Sequence, residues 1–134
     1  MTMGYSTAIR NAGLNEIITQ IDKGGSSGHL HFYAGAQPAT GGPDTLMLAE
    51  LVMSAVSFAA ASGGEIVANA IAPTTALATG TATWFRIDDS AENFAIDGTV
   101  GLAGSGADLI LDNVDFVLGA TVTQDSLTIV AGNP

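Results

Sequence analysis

Two histidines, His29 and His31, stand two residues apart in a chain of 134 residues. On an extended segment that spacing puts both imidazoles on one face, where they could meet at a single metal ion. Such a site needs one or two further ligands, and the carboxylates are too distant along the chain for spacing to nominate them. Exposed or interface histidines are the plainer reading. The run Asp88-Asp89-Ser90-Ala91-Glu92-Asn93 offers side-chain oxygens in the manner of a calcium loop. It has Asn93 where such a loop needs its sixth-position glycine and Thr99 where it needs its closing glutamate, so an acidic turn between strands is simpler. Gly101-Leu102-Ala103-Gly104-Ser105-Gly106 departs from the dinucleotide spacing and is followed by strand-like residues, which favours a hairpin or compact loop over a phosphate cradle. For nucleophilic catalysis the chain has no Cys. It also lacks a G-x-S-x-G elbow and any His after residue 31, and no motif sets a base near Ser57 or Ser62. No enzyme and no cofactor are expected.

The stretch that must position most of the chain is Gly80-Thr81-Ala82-Thr83-Trp84-Phe85-Arg86-Ile87-Asp88, which holds the only Trp. As a strand it puts Thr81, Thr83, Phe85 and Ile87 on one face and Ala82, Trp84, Arg86 and Asp88 on the other. So mixed an apolar run suits a central strand covered on both sides, with Trp84 filling one layer and Phe85 the other. Trp84, Phe85 and Arg86 are therefore expected in the structural core. An interior guanidinium requires a partner, for which Asp88, Asp89 and Asp97 are the candidates; a structural ion pair is the plainer role and ligand binding the sharper one.

Around that strand, Ser6 to Asp22 reads as the one helix. Ser6 or Thr7 caps it, Ile9, Leu14, Ile17, Ile18 and Ile21 recur at helical spacing, and Gly24-Gly25 stops it. Gly13 weakens its middle. The apolar face would lie on the sheet or on a neighbouring subunit, which makes Ile9, Leu14, Ile17 and Ile21 possible subunit-docking residues. Strands are expected at His29 to Ala34, Leu46 to Met53, Ala55 to Ala59, Glu65 to Asn69, Phe94 to Asp97 (with Gly98 allowing a bend into Thr99-Val100), Leu109 to Leu111, Asn113 to Leu118 and Thr121 to Val130. Pro- and Gly-rich loops cover 35–44 and 101–108, and Pro73 to Thr79 reads as irregular. The pattern predicts a mainly β protein, an antiparallel sandwich or small barrel (jelly-roll-like topology included) with one N-terminal helix. Its expected division is a helical docking arm over 1–24 and a single β-domain over 25–134.

Composition narrows the partners. Thirteen acids against three bases give a formal charge of −10, so neither nucleic acid nor an anionic membrane is an expected partner. No run has the length of a bilayer span, and Met1 to Asp22 carries Arg10 and Glu16 inside it and does not read as a signal peptide. Charged residues are 12% of the chain and hydrophobic ones 47%, about half the usual share of charge. Either small polar residues cover the surface or neighbours bury much of it, and the second fits better.

Several segments carry a resemblance: Leu30-His31-Phe32-Tyr33-Ala34-Gly35-Ala36-Gln37-Pro38, Phe58-Ala59-Ala60-Ala61-Ser62-Gly63-Gly64, Gly80-Thr81-Ala82-Thr83-Trp84-Phe85-Arg86 and Asp97-Gly98-Thr99-Val100-Gly101. With the N-terminal helix before them, they resemble small proteins encoded in the structural-gene modules of tailed bacteriophages and prophages. The resemblance implies a non-enzymatic virion component, assembled in the host cytoplasm, whose partners are other virion proteins and its own copies. It brings no catalytic residues. A capsid decoration (cement) protein docked on the major capsid protein fits the acidity and the apolar surface best. A tail or head–tail connector component is the first alternative. A host-receptor or glycan-binding module is the second, disfavoured because most of the few aromatics fall at core positions.

Overall fold

The computed structural model describes residues 3–124 and 127–131. Ser126, within the expected last strand, lies outside the described residues, as do both extreme ends of the 1–24 and 25–134 division. Helix α1 (Thr7–Ile21) begins where Ser6 accepts a hydrogen bond from the Ile9 N–H, which satisfies one of the free donors of the first turn. Strands β1 (His29–Ala34), β2 (Leu46–Val52), β6 (Trp84–Asp88), β7 (Phe94–Gly101) and β8 (Leu109–Ile110) form one sheet in the order β2-β1-β6-β7-β8. All its pairings are antiparallel except β7 with β8. Three two-stranded ribbons complete the fold: β10 (Thr121–Val122) with β4 (Thr74–Thr75), β11 (Thr128–Val130) with β3 (Glu65–Val67), and β5 (Gly80–Thr81) with β9 (Asp115–Phe116). The protein is mainly β and sandwich-like, with a single helix among the described residues, as the strand spacing predicts.

Alternation along β1 and β6 gives the large sheet two different faces. Leu30 and Phe32 of β1 pair with Ile87 and Phe85 of β6, and all four are buried in one apolar cluster. Leu14 and Ile21 of the helix, Ile66, Phe116, Val122 and Leu127 belong to the same cluster. Phe32 meets Phe116 edge-on at 5.5 Å between centroids, so the ribbons close over this face. The packing needs Gly98 opposite Phe85: a Cβ there would lie 2.8 Å from the Phe85 ring.

Four expectations are corrected. The helix is no separate arm. Its Leu14 and Ile21 are buried in the domain's own core, and a second row of contacts stitches it down: Asn11 and Asn15 accept from the Gly64 and Ala61 N–H groups, Asp22 accepts from Ser57, and Arg10 donates to the Ala131 carbonyl. Leu14 and Ile21 are thus unavailable for docking. Arg10 rather than Ile9 continues their stripe, because Ile9 lies about a third of a turn away at 3.6 residues per turn; its side chain is 58% exposed. Ile17 packs partly against the core.

Second, Gly80 to Asp88 is not one strand. The chain changes partners at Ala82 and Thr83, leaving β9 for the large sheet, where the Thr83 N–H donates to Tyr33 and its carbonyl accepts from Val100. Such a switch is how a strand turns a sandwich corner. Third, Ala55 to Ala59 alternates but forms no strand. Its pairing is one isolated bridge, Phe58 to Ala68, flanked by the Ala59 N–H on the Val67 carbonyl and the Asn69 N–H on the Ser57 carbonyl, while the Ser57 N–H donates to Asp22. Within Pro73 to Thr79, expected to be irregular, Thr74–Thr75 forms β4.

Candidate functional site

The other face of the large sheet gathers the buried polar residues His31, Arg86 and Asp88. The β1–β6 register sets His29 opposite Asp88, His31 opposite Arg86 and Tyr33 opposite Trp84, while Glu50 of β2 lies opposite His31. All five residues of β6 are buried. The loop between β1 and β2 folds over one half of this face. Trp84 stacks on Tyr33 at 4.1 Å between centroids, and its Nε1–H donates to Thr45 Oγ1 at 2.8 Å. The Arg86 guanidinium lies 5.0 Å over the Trp84 ring and 5.4 Å from the Phe94 ring.

Arg86 finds one of its expected partners. Its Nη2 meets Asp97 Oδ2 at 3.4 Å and donates to the Gly42 carbonyl at 2.8 Å, while Nη1 meets Asp44 Oδ1 at 2.7 Å. Asp97 was legible as a candidate, two strands sharing a tight turn being able to face each other. Asp44, on the Pro- and Gly-rich loop, was not. Asp88 and Asp89 take other roles, a correction to the candidate list. Tyr33 is buried among these groups, and burial, then the Asp44 and Asp88 carboxylates, pushes its hydroxyl well above the ordinary tyrosine range despite the opposing Arg86 charge. It stays protonated and available as a donor.

The histidine half of the face is drawn together by register rather than by sequence spacing. His31 is buried, with Nδ1 3.4 Å from Asp88 Oδ2 and 3.3 Å from the Tyr33 hydroxyl, and Nε2 3.6 Å from Glu50 Oε2. His29 Nε2 lies 3.8 Å from Glu50 Oε1. Glu50 is the residue that local spacing could not nominate, since it lies across the β1–β2 pairing.

The calcium-like run resolves as a turn. Asp89 Oδ1 accepts from the Ala91 and Asn93 N–H groups and Oδ2 from the Asn93 side-chain amide, each at 2.9 to 3.0 Å. Its oxygens are thereby engaged by the turn's own donors. Glu92 takes a left-handed φ of 65° within it. The Asn93 N–H and amide, with a smaller contribution from Ala91, hold the Asp89 carboxyl below its ordinary value of 3.8 against the effect of burial. Its proton is therefore bound more weakly folded than unfolded, so the stabilisation is complete above the unfolded value and lost as pH falls through the lower folded one. Asp89→Asn is expected to melt below wild type at neutral pH, with the gap closing as pH falls below about 3.8. Paired thermal melts across that range check this, and a gap that stays constant would contradict it.

On the opposite side of the molecule an apolar groove of about 440 Å³ runs between α1 and the end of β11. Ile9, Ile17, Tyr5, Ile96 and Val130 line it. Of the expected docking residues, this surface gathers Ile9 and Ile17, with Leu14 at its floor. Among the described residues, no helix is long and apolar enough to cross a membrane. Comparison with family models, curated proteins and solved structures gives no match.

Proposed function

We propose that the chain is a non-enzymatic structural component of a phage virion, a capsid decoration protein that seats on the major capsid protein and on copies of itself. The observation that carries this reading is the groove beside α1. It is an apolar surface rimmed by the exposed side chains of Ile9 and Val130, 58% and 61% accessible, on a chain otherwise short of charge. Exposed apolar surface that clusters in this way marks contact sites. The occupant is a neighbouring shell subunit, consistent with the resemblance of the Trp84 and Tyr33 segments to virion proteins. An acidic exterior keeps such a subunit outside the shell, away from packaged nucleic acid.

The test counts this chain in purified particles by quantitative mass spectrometry, alongside Ile9→Glu. A decoration protein is present at shell-wide copy number. Because it binds only the assembled lattice, its loss leaves heads less resistant to heat. Ile9→Glu, at an exposed position, should keep the isolated protein's melting temperature and lose attachment to particles. A ring-sized copy number with unjoined heads and tails would instead identify a connector, and intact particles that fail to adsorb would identify a receptor binder. Absence from particles would end the proposal.

A further inference from the structure

We propose that His29, His31 and Glu50 form a binding site for one divalent transition-metal ion of the zinc type, with Asp88 as the positioning residue behind His31. One nitrogen from each histidine and one Glu50 oxygen all lie within 4.8 Å of one another. His31 Nε2 lies 3.6 Å from Glu50 Oε2 and His29 Nε2 3.8 Å from the other oxygen, Oε1, so Glu50 must turn one oxygen toward both rings to reach the edge of about 3.4 Å that a tetrahedron with zinc–nitrogen bonds of about 2.1 Å requires. His29 is partly exposed, its side chain 22% accessible, and has room to close the remaining distance.

Hydrogen bonding points the same way. His31 Nε2 is buried without a hydrogen-bond partner and faces a carboxylate oxygen. Its other nitrogen has Asp88 Oδ2 at 3.4 Å. Nδ1 also has the Tyr33 hydroxyl at 3.3 Å; in the tautomer whose Nδ1 proton faces Asp88, Nε2 presents a lone pair to Glu50. A buried imidazole lone pair facing a carboxylate oxygen is repelled by it unless a cation lies between them. A carboxylate behind the ligating imidazole is the usual outer shell of a zinc-bound histidine, where it fixes the tautomer and the ring. Asp88 is already in that place, directly across the β1–β6 ladder from His29. Two imidazoles and one carboxylate suit zinc better than calcium or magnesium, which take oxygen ligands. Three protein ligands leave a fourth position for water, on the side where His29 and Glu50 reach solvent.

The other occupant that would satisfy this gap is a proton on His31. The experiment that separates the two titrates the chelator-treated full chain with zinc chloride by calorimetry, with cobalt(II) absorption as a second readout. Wild type should bind one ion per chain, melt at a higher temperature when loaded, and give a tetrahedral cobalt spectrum. Glu50→Gln and His29→Asn sit at partly exposed positions and should keep the metal-free melting temperature while binding at least about tenfold more weakly. Asp88→Asn should weaken binding about 10- to 100-fold while the cobalt spectrum keeps its form, because the ligand set is unchanged. Absence of saturable zinc binding in wild type would leave the proton as the occupant and overturn the proposal. Undiminished binding in both ligand variants would place the zinc on other carboxylates and overturn it equally.

Discussion

Trp84→Ala is expected to destabilise the protein by about 3–5 kcal/mol, the range for deleting a fully buried large aromatic side chain. The ring is completely inaccessible, so its removal opens a cavity at the start of the central strand. Three interactions go with it: the stack on Tyr33, the hydrogen bond to Thr45 and the face on which Arg86 rests. An aromatic stack contributes about 0.5–1.5 kcal/mol beyond area burial, which moves the expectation toward the upper half of the range. For a domain of this size the loss corresponds to a fall in melting temperature of roughly 10 °C or more. Trp84→Phe should lose less, since it keeps a ring against Tyr33 and gives up mainly the Nε1–H bond. Far-UV circular dichroism is the appropriate probe, because the substitution removes the chain's only indole. Unchanged melting of Trp84→Ala would mean that Trp84 is not buried in solution.

The consequence reaches the loop over this face. Thr45, which accepts from Trp84, itself donates to the Ala34 carbonyl, and Asp44 beside it holds Arg86. Residues 44 and 45 are therefore fixed by side chains of β6 and by the Ala34 carbonyl of β1, not by loop propensity. Loss of the indole should loosen the whole cover of Arg86, a local opening of lower energy than global unfolding.

What the sequence made legible was whatever period and punctuation encode locally. The helix was readable from Ser6 and the Leu14, Ile17, Ile21 spacing, and β1 and β6 from their alternation, which also predicts which of their residues share a face. What local pattern cannot encode is partnership across strands. Glu50 meets His31 only because β2 pairs with β1 in one register, with a shift between Phe32 and Tyr33. Asp44 reaches Arg86 only because a Pro- and Gly-rich loop doubles back. The same limit left two readings of the helix open: hydrophobic spacing shows that a face is covered, not whether sheet or neighbour covers it. Ala55 to Ala59 alternates like a strand, yet the Asp22 carboxylate at the helix end captures the Ser57 N–H, and a strand needs its N–H groups free for a ladder. Thr83 marks a sheet switch whose only cue is that it precedes the large aromatic pair.

Arg86 carries the second large effect, and its two carboxylates do not contribute equally. Asp44 makes the shorter contact, 2.7 Å, but its side chain is 52% exposed, and a solvated carboxylate adds at most about 1 kcal/mol. Asp97 is 3.4 Å away and only 4% exposed. Removing the guanidinium would therefore strand a buried carboxylate whose remaining partner is the Gly41 N–H. Arg86→Met is expected to destabilise by about 3–5 kcal/mol, the range for breaking a buried pair from one side. Asp44→Asn should lose no more than the solvated contribution. The decisive comparison is the double variant Arg86→Met with Asp97→Asn, in which no uncompensated buried charge remains; it should be more stable than Arg86→Met alone, with a coupling energy of about 0.5–3 kcal/mol. Urea denaturation of the four members of that cycle supplies the measurement. Additive effects at the two positions would mean that Arg86 serves mainly as packing over Trp84 and Phe94, with the ion pair adding nothing to stability.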